Sequence, residues 1–518
     1  MQGNAKPSLS EYFMRHFFLF IALTFLCVPN FAHIGSPDIV YEGNAGPYKI
    51  HATIQPPDVV PGTAKIAVQI EEKGTMKVFL QPVYYQYGSG GAPKADRAET
   101  IQGTDNYFEG ELWLMAFGSA SVRITVEGGK GIGSTVVPVS ALATATRKMD
   151  KVIEWILIPL GILLFAGLVT IIGVSTGQAT QEPGKELSSS QKRYSMRVMF
   201  VFSFFLAGGL YLAKGWWDKV EAEYREFMYK PLYMQTELNM SDKEPDLIVH
   251  LRNRPWLSRN LSDLIPDHGK LMHLFLIGND ARSFSHLHPA QLDSSTYQTR
   301  LPSLETGTYF LVADIVHENG LSETLTDSLL ISHPLSSSKL LDPDDSWAIF
   351  PNNTSSISRK KNLSISFDSQ DSLRSKRYTK LRFTLEDTLG NPLLPEPYLG
   401  MAGHAVVMKN DHSVFIHLHP MGTVSMASQN ALAGKVTGNV TLCNPLADSL
   451  FAASDTLVGL ADAGQVSLMR NQKSRKNASK NGTVTFPYSF PSSGDYTIWV
   501  QIKKDRAIHT EKFNVHVL

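Results

Sequence analysis

The chain has 518 residues, 43% of them hydrophobic, which is too many for one core and predicts roughly three or four domains. Lysine plus arginine and aspartate plus glutamate each number 48, so no basic surface able to neutralise phosphates is implied, and nucleic acid is not an expected partner. Hydrophobic residues gather in three unbroken runs before Trp217, whereas the remainder alternates as half-buried strands do; a membrane protein with soluble β parts is predicted.

The first run, Phe17 to Val28, follows Lys6 and Arg15, is too short to span a bilayer and has a small residue, Ala32, behind it. A signal peptide over residues 1–32 is therefore expected, although Asn30 is larger than the cleavage rule prefers, and its removal would leave His33 first. Residues 33–146 carry YKIHATIQ, AKIAVQIEE, KVFLQPVYYQY, YFEGELWLMA and ASVRITVEG, alternating or β-rich runs divided by Gly, Pro and Asp turns. That grammar predicts an immunoglobulin-like β-sandwich.

Val152 to Val174 offers one charge, Glu154, in about 23 residues, enough for roughly 30 Å of hydrocarbon, so a transmembrane helix is predicted over 152–174. A second is predicted over 196–217, where Trp216 and Trp217 suit the headgroup zone. The loop between them, 175–195, is expected on the cytoplasmic side. It carries Lys185, Lys192 and Arg193, against Arg147, Lys148 and Lys151 beyond the first span, so the charge rule is nearly neutral and the topology rests on the signal peptide. Both large soluble parts are then periplasmic, and helical spans point to the inner membrane of a bacterium. Cys27 would leave with the signal, so Cys443 has no partner for an internal disulfide.

Beyond the spans the chain repeats itself. HLFLIGNDARSFSHLHP (His273 to Pro289) aligns without a gap on HAVVMKNDHSVFIHLHP (His404 to Pro420), and GTYFLVADI (Gly307 to Ile315) corresponds to GDYTIWVQI (Gly494 to Ile502). Two further sandwiches are expected, over 232–335 and 355–518, the second lengthened by an insertion, 421–482, rich in Ala, Asn, Ser and Lys. The fold class is thus mainly β, with three immunoglobulin-like sandwiches and two transmembrane helices.

Asn279-Asp280 and Asn410-Asp411 are natural two-residue hairpin corners, because Asn and Asp tolerate positive φ. On that register His273 lies opposite His286 with His288 on the same face, and His404 lies opposite His417 with His419 beside it. Cross-strand Cβ atoms are roughly 4.5 to 5.5 Å apart, a span that imidazoles can bridge through one metal at about 2.0 to 2.1 Å per Zn–N bond. One metal site per repeat is expected. Imidazole suits zinc, copper, nickel and iron alike. Met272, Met408, Met426 and above all Met401 and Met421, whose soft sulfurs are added as candidate ligands, incline the expectation to copper, with zinc as the other choice.

His268 and His317 could complete the first site, although His317 aligns on Lys504; His33 with His51 is a minor candidate, and Cys443 reads as an inert thiol. The competing reading makes the triplets a hydrogen-bonded structural cluster beside Phe275, Ile277 and Phe284, in a scaffold or interaction protein without metal. No nucleophile elbow, phosphate-binding glycine loop or H-E-x-x-H occurs, so an enzyme is not expected, although a three-histidine site with an open position can activate water.

GPYKIHATIQPPDVVPGTAKIAVQI and FEGELWLMAFGSASVRITVEGGKG, over roughly residues 40–145, resemble the YtkA/FixH-like family of exported or membrane-attached β domains. HGKLMHLFLIGNDARSFSHLHP and EPYLGMAGHAVVMKNDHSVFIHLHPMGTVSMA resemble exported bacterial proteins that couple a YtkA-like domain to MHLFL…HLHP repeats, a likeness over most of 230–331 and 380–428. The resemblance implies an envelope protein concerned with metal handling. Its expected partners are the lipid bilayer and another envelope metal-handling or oxidase-assembly protein; it supplies no reaction.

Overall fold

A computed structural model describes residues 38–101, 106–146, 149–179, 181, 184–241, 244–252, 264–337, 339–350, 357–360, 363–368, 372–437 and 482–518. The expected signal peptide, Cys27, His33 and most of the insertion, with Cys443, lie outside the described residues. The described chain is mainly β: its strands form six antiparallel sheets, which pack over three separate cores, and three α-helices accompany them.

The first core is shared by two sheets. Ile50, Val68 and Leu112 come from a sheet built on Tyr48–Gln55, Gly62–Ile70 and Tyr107–Leu114; Val78, Ile124 and Val137 come from one built on Lys77–Tyr84, Gly118–Gly128 and Gly131–Ala141. Strands with one wet face read as alternation in sequence, and these do.

Two helices follow, α1 (Lys151–Gln178) and α2 (Ser189–Phe227), both long and apolar enough to cross a membrane. Asp150 caps α1 by accepting from the Val152 N–H at 2.7 Å, and Ser188 with Gln191 forms a capping box at the start of α2. Gly173 lets the helices approach: Met199 occupies the space a Cβ would need, and the Ser195 hydroxyl donates to the Gly173 carbonyl. The helices outrun the expected spans. At about 1.5 Å per residue α2 is roughly 58 Å long, more than a bilayer's hydrocarbon needs. Its last turns run on past the apolar stretch as a stalk on which Tyr224 packs against the first core, meets Phe117 at 6.3 Å and donates to the Ala145 carbonyl. The end of α2 therefore meets the first unit at Ala145, a few residues before α1 begins.

Each repeat again places two sheets over one core, with Leu247, Leu274 and Leu311 in the first and Ile365, Val407 and Ile498 in the second. The hairpin strands His273–Gly278 and Ser283–Leu287 in one repeat, and His404–Lys409 and Phe415–Leu418 in the other, lie beside Gly307–Val316 and Gly494–Lys504 respectively. Their outer faces are not wet. The two repeats stack sheet against sheet over a further core of Phe275, Ile277, Phe284, Val406, Met408, Phe415 and Trp499, with Phe284 stacked on Trp499 at 5.1 Å. Burial on both faces explains why HLFLIG is apolar without alternation: even-numbered residues face their own core and odd-numbered ones face the other repeat.

The hairpin corners are wider than the expected two residues. In the first, Gly278 C=O accepts from Ala281 N–H at 2.7 Å, and Ala281 sits at φ 55°; in the second, Lys409 C=O accepts from His412 N–H at 2.8 Å, with His412 at φ 61°. The corner is a turn closed by a left-handed residue. Phe275 consequently pairs with His286 and Val406 with His417, which brings His273 level with His288 and His404 level with His419, one step from the expected register. A one-residue displacement of the corner changes the pairing by two positions, so parity survives and each trio stays on one face.

Helix α3 (Met426–Thr437) opens the insertion and wedges against the first unit, where Leu432 packs with Val83 and Val136. Just before it, Gly422 at φ 116° lies so close to the strand Ile39–Ala45 that a Cβ would collide with the Val40 carbonyl. Glu42 N–H donates to Met421 C=O at 2.8 Å and Thr423 N–H to Val40 C=O at 2.9 Å, joining the second repeat to the first unit by strand-like bonds.

Candidate metal centre between the repeats

Because the two hairpins face each other, their six histidines do not form two separate sites. They line one buried chamber at one end of the inter-repeat core, none more than 6% exposed. The His417 ring is 5.3 Å from His273, 5.5 Å from His286 and 5.3 Å from His404, centroid to centroid. A seventh ring joins them. His268, at φ 54° on a tight turn with Gly269, has a side chain only 2% exposed and sits 4.8 Å from His419 and 5.5 Å from His404.

Within this chamber the nitrogens fall into two sets whose donor atoms lie within 4.8 Å of one another: His273, His286 and His288, and His268, His404 and His419. The first is the trio expected of the first repeat. The second departs from expectation, since His268 comes from the first repeat and stands where His417 was expected. The sequence signal was the gapless repeat itself: extended backwards, it places His268 and Gly269 on Leu399 and Gly400, whose φ values of 49° and 79° reproduce the 54° and 82° of the first copy. One turn was duplicated, and only one copy carries an imidazole.

The outward nitrogens are held by acceptors. His286 Nδ1 is 2.8 Å from Gln501 Oε1, His288 Nδ1 is 3.0 Å from Asp345 Oδ1, His273 Nε2 is 3.1 Å from the Asp267 carbonyl and His419 Nδ1 is 3.3 Å from the Val424 carbonyl. His268 bonds the Leu399 backbone, and His417 Nδ1 points toward Asp314 at 3.7 Å. Gln501 and Asp314 are equivalent residues of the two repeats, each reaching across to the other's HLHP. A neutral imidazole has one proton, so a ring that donates outward presents a lone pair inward.

That rule creates a conflict at His273 and His286. Their facing nitrogens, Nδ1 and Nε2, are 3.1 Å apart, and in the tautomers that donate to the outer oxygens of Asp267 and Gln501 they meet as two lone pairs; Tyr398 Oη, 3.3 Å from His286 Nδ1, is the competing partner on the outer side. The inward nitrogens His268 Nε2, His288 Nε2, His417 Nε2 and His419 Nε2, with both nitrogens of His404, have no hydrogen-bond partner within the protein. Protonation does not relieve this. Burial, reinforced by the neighbouring rings, holds His286, His288, His404 and His417 well below the usual histidine range. Burial likewise brings His268 and His273 to about 4 and His419 to about 3. Asp345, raised to about 7 by burial, lies behind His288. The chamber is thus lined by neutral imidazoles with inward lone pairs.

The candidate methionines are placed otherwise. Met421 packs against the core of the first unit, while Met401, half-buried, closes the turn with Tyr398 through paired backbone bonds. Met272 lies in the first repeat's core and Met408 in the inter-repeat core. His317 bonds Glu323 at 2.8 Å and is not part of the set formed by His273, His286 and His288. A further group, Glu42, His51 and Glu71, is already bridged by Lys49, 2.9 and 2.8 Å from the two carboxylates.

A family described as "Domain of unknown function (DUF8832)" matches residues 359–445, a stretch that includes His404, His417 and His419. No curated protein matches. Among solved structures, the chain is similar to a β-glucuronidase of Parabacteroides merdae, with 6% identity over 90% of this chain and 77% of that one and a TM-score of 0.14. It is also similar to dimeric latent PorU from Porphyromonas gingivalis, with 9% identity over 93% of this chain and 34% of that one and a TM-score of 0.13. Red sea bream transglutaminase gives 9% identity over 77% of this chain and 39% of that one, TM-score 0.14. Likenesses at these scores carry no argument.

Proposed function

We propose that this chain is a membrane-anchored bacterial envelope protein that binds a transition metal, copper in the first place, in the chamber between its two histidine repeats. The observation that carries the reading is the His273–His286 pair. With both rings donating outward, two nitrogen lone pairs meet 3.1 Å apart, an arrangement that a cation between them satisfies. An ion about 2.0 to 2.1 Å from both would subtend an angle of about 100°, within the range of four-coordinate sites. His288 is the third ligand, and the outer acceptors fix the ring orientations as the supporting groups of metal sites do.

A purely structural cluster is the weaker alternative. Each buried polar group left unpaired costs about 1–3 kcal/mol, so several in one chamber approach the whole stability of a typical domain, about 5–15 kcal/mol. Neutral imidazoles accept copper and zinc alike, so the choice of copper rests on metal analysis.

The three two-sheet units serve as the three immunoglobulin-like sandwiches of this reading, the first being YtkA/FixH-like. The helical pair anchors them to the inner membrane with both soluble parts on the periplasmic side; the stalk contacts of Tyr224 support their lying on the same side. The partner in transfer is another envelope metal-handling or oxidase-assembly protein.

The test is the metal content of the full chain, purified without a histidine tag, by mass spectrometry. Copper is expected in the wild type and markedly less in the double variant His417→Ala/His419→Ala. Wild-type protein that takes up neither copper nor zinc would reject the reading.

A further inference from the structure

We infer that the chamber holds two ions as one coupled pair shared between the repeats, the second ion being ligated by His268 of the first repeat together with His404 and His419 of the second. This rests on the metal-binding reading and extends it from separate sites to a paired centre.

The geometry of the two sets carries the inference. Each supplies three imidazoles with donor atoms within 4.8 Å of one another, and the sets share no ligand, so two ions can be bound at once. They are also neighbours. His268 approaches His273 to 6.3 Å and His286 approaches His404 to 6.4 Å, ring centroid to ring centroid, so ions in the two sets are separated by little more than one ring. His417 stands between, 5.5 Å from His286 and 4.5 Å from His419, and its partnerless Nε2 is a fourth donor available to either ion. Two cations so close repel, and acidic side chains, buried at Asp345 and Asp267 and half-buried at Asp314, lie behind the rings to offset them. Asp345 bonds His288, Asp314 faces His417, and Asp267 lies 3.7 Å from His268 while its carbonyl holds His273. The second set also spans two repeats, so its ion ties one repeat to the other.

The experiment loads the untagged full chain in detergent with copper(II) alone, counts copper by mass spectrometry and records the electron paramagnetic resonance spectrum. Two copper ions per chain are expected, with a signal per ion well below that of isolated copper(II), or with a half-field transition. His268→Ala should halve the copper content and restore a full-intensity mononuclear signal, and His288→Ala should do the same from the other set. One ion in the wild type, or two ions giving the full signal of isolated centres, overturns the pairing while leaving metal binding intact. No copper at all overturns the parent reading instead. A folded His268→Ala that still binds a coupled pair removes His268 as a ligand. Should that variant not fold, the wild-type count and spectrum decide.

Discussion

The two repeats present the same hairpin to the chamber yet hold their histidines differently. In the first, all three rings have an outer acceptor: His273 the Asp267 carbonyl, His286 Gln501, and His288 Asp345. In the second, His404 bonds nothing within the protein and His419 reaches Val424 at 3.3 Å, while the preceding turn offers Leu399 where the first repeat has His268. Duplication kept the backbone and the ring positions but not the supporting bonds. The second wall therefore depends on the first for its third ligand, and on an ion for its satisfaction.

Metal loading should produce the largest effect on this contrast. An ion held only by the folded chamber stabilises it by about 4 kcal/mol at a free concentration some 1,000 times its Kd. Thermal unfolding of metal-free protein should show a rise on adding copper(I) or copper(II), and His404→Ala should remove the share of it that belongs to the second set while leaving that of His273, His286 and His288.

Gly422→Ala tests what else holds the second wall. The equivalent position in the first repeat is Gln291, which is exposed, whereas Gly422 combines a left-handed backbone with the Val40 contact. A methyl group there should cost about 3 kcal/mol through strain and the lost strand-like bonds. Denaturant unfolding measures the loss, and Gln291→Ala serves as the near-neutral control.

Acid should separate metal-free from loaded protein. The buried rings have folded-state values of about 3 to 4, against 6.5 ordinarily, so unfolding takes up their protons once the pH is below about 6.5. The rings should cost no stability above that point and roughly 1.4 kcal/mol per pH unit each below it, until the folded-state values are reached, while the two carboxyls raised to about 7, Asp314 and Asp345, offset part of that loss. Unfolding midpoints of metal-free protein between pH 8 and 5 check the sign; constant midpoints would mean the rings titrate in the fold as they do in the unfolded chain.

His404→Leu gives the smallest effect and the sharpest one in sign. Removing a buried ring with no partner in favour of an apolar side chain should stabilise metal-free protein by about 1 kcal/mol while weakening metal binding. The corresponding change at His286 should destabilise, since it strips Gln501 of its partner and removes a ring stacked 4.4 Å over Phe275. Equal destabilisation at both positions would make the cluster structural.

The six histidines were legible because identical HLHP hairpins recur, and because the two-residue period of a strand keeps i and i+2 on one face whatever the exact corner. The corner itself was misjudged. Asn and Asp suggested a two-residue turn, but Ala281 and His412 hold the positive φ, which local preference does not foretell. The two apolar helices were legible from hydropathy, whereas the continuation of α2 past Trp217 was not, because its turns are polar; the i,i+4 pairs Lys214–Asp218 and Glu221–Arg225 and the packing of Tyr224 accompany it.

By itself, then, the sequence determined the mainly β character, the two apolar helices, the duplication and the face on which each trio stands. These follow from short-range periodicity and backbone sterics. Tertiary structure decided that the trios meet, that His268 replaces His417 in the second set, and that Met421 turns toward the first unit. Those outcomes depend on which outer sheet face is covered by which neighbour. HLFLIG hints at a face buried twice by lacking alternation, but only the packed repeats show that the second cover is its own copy.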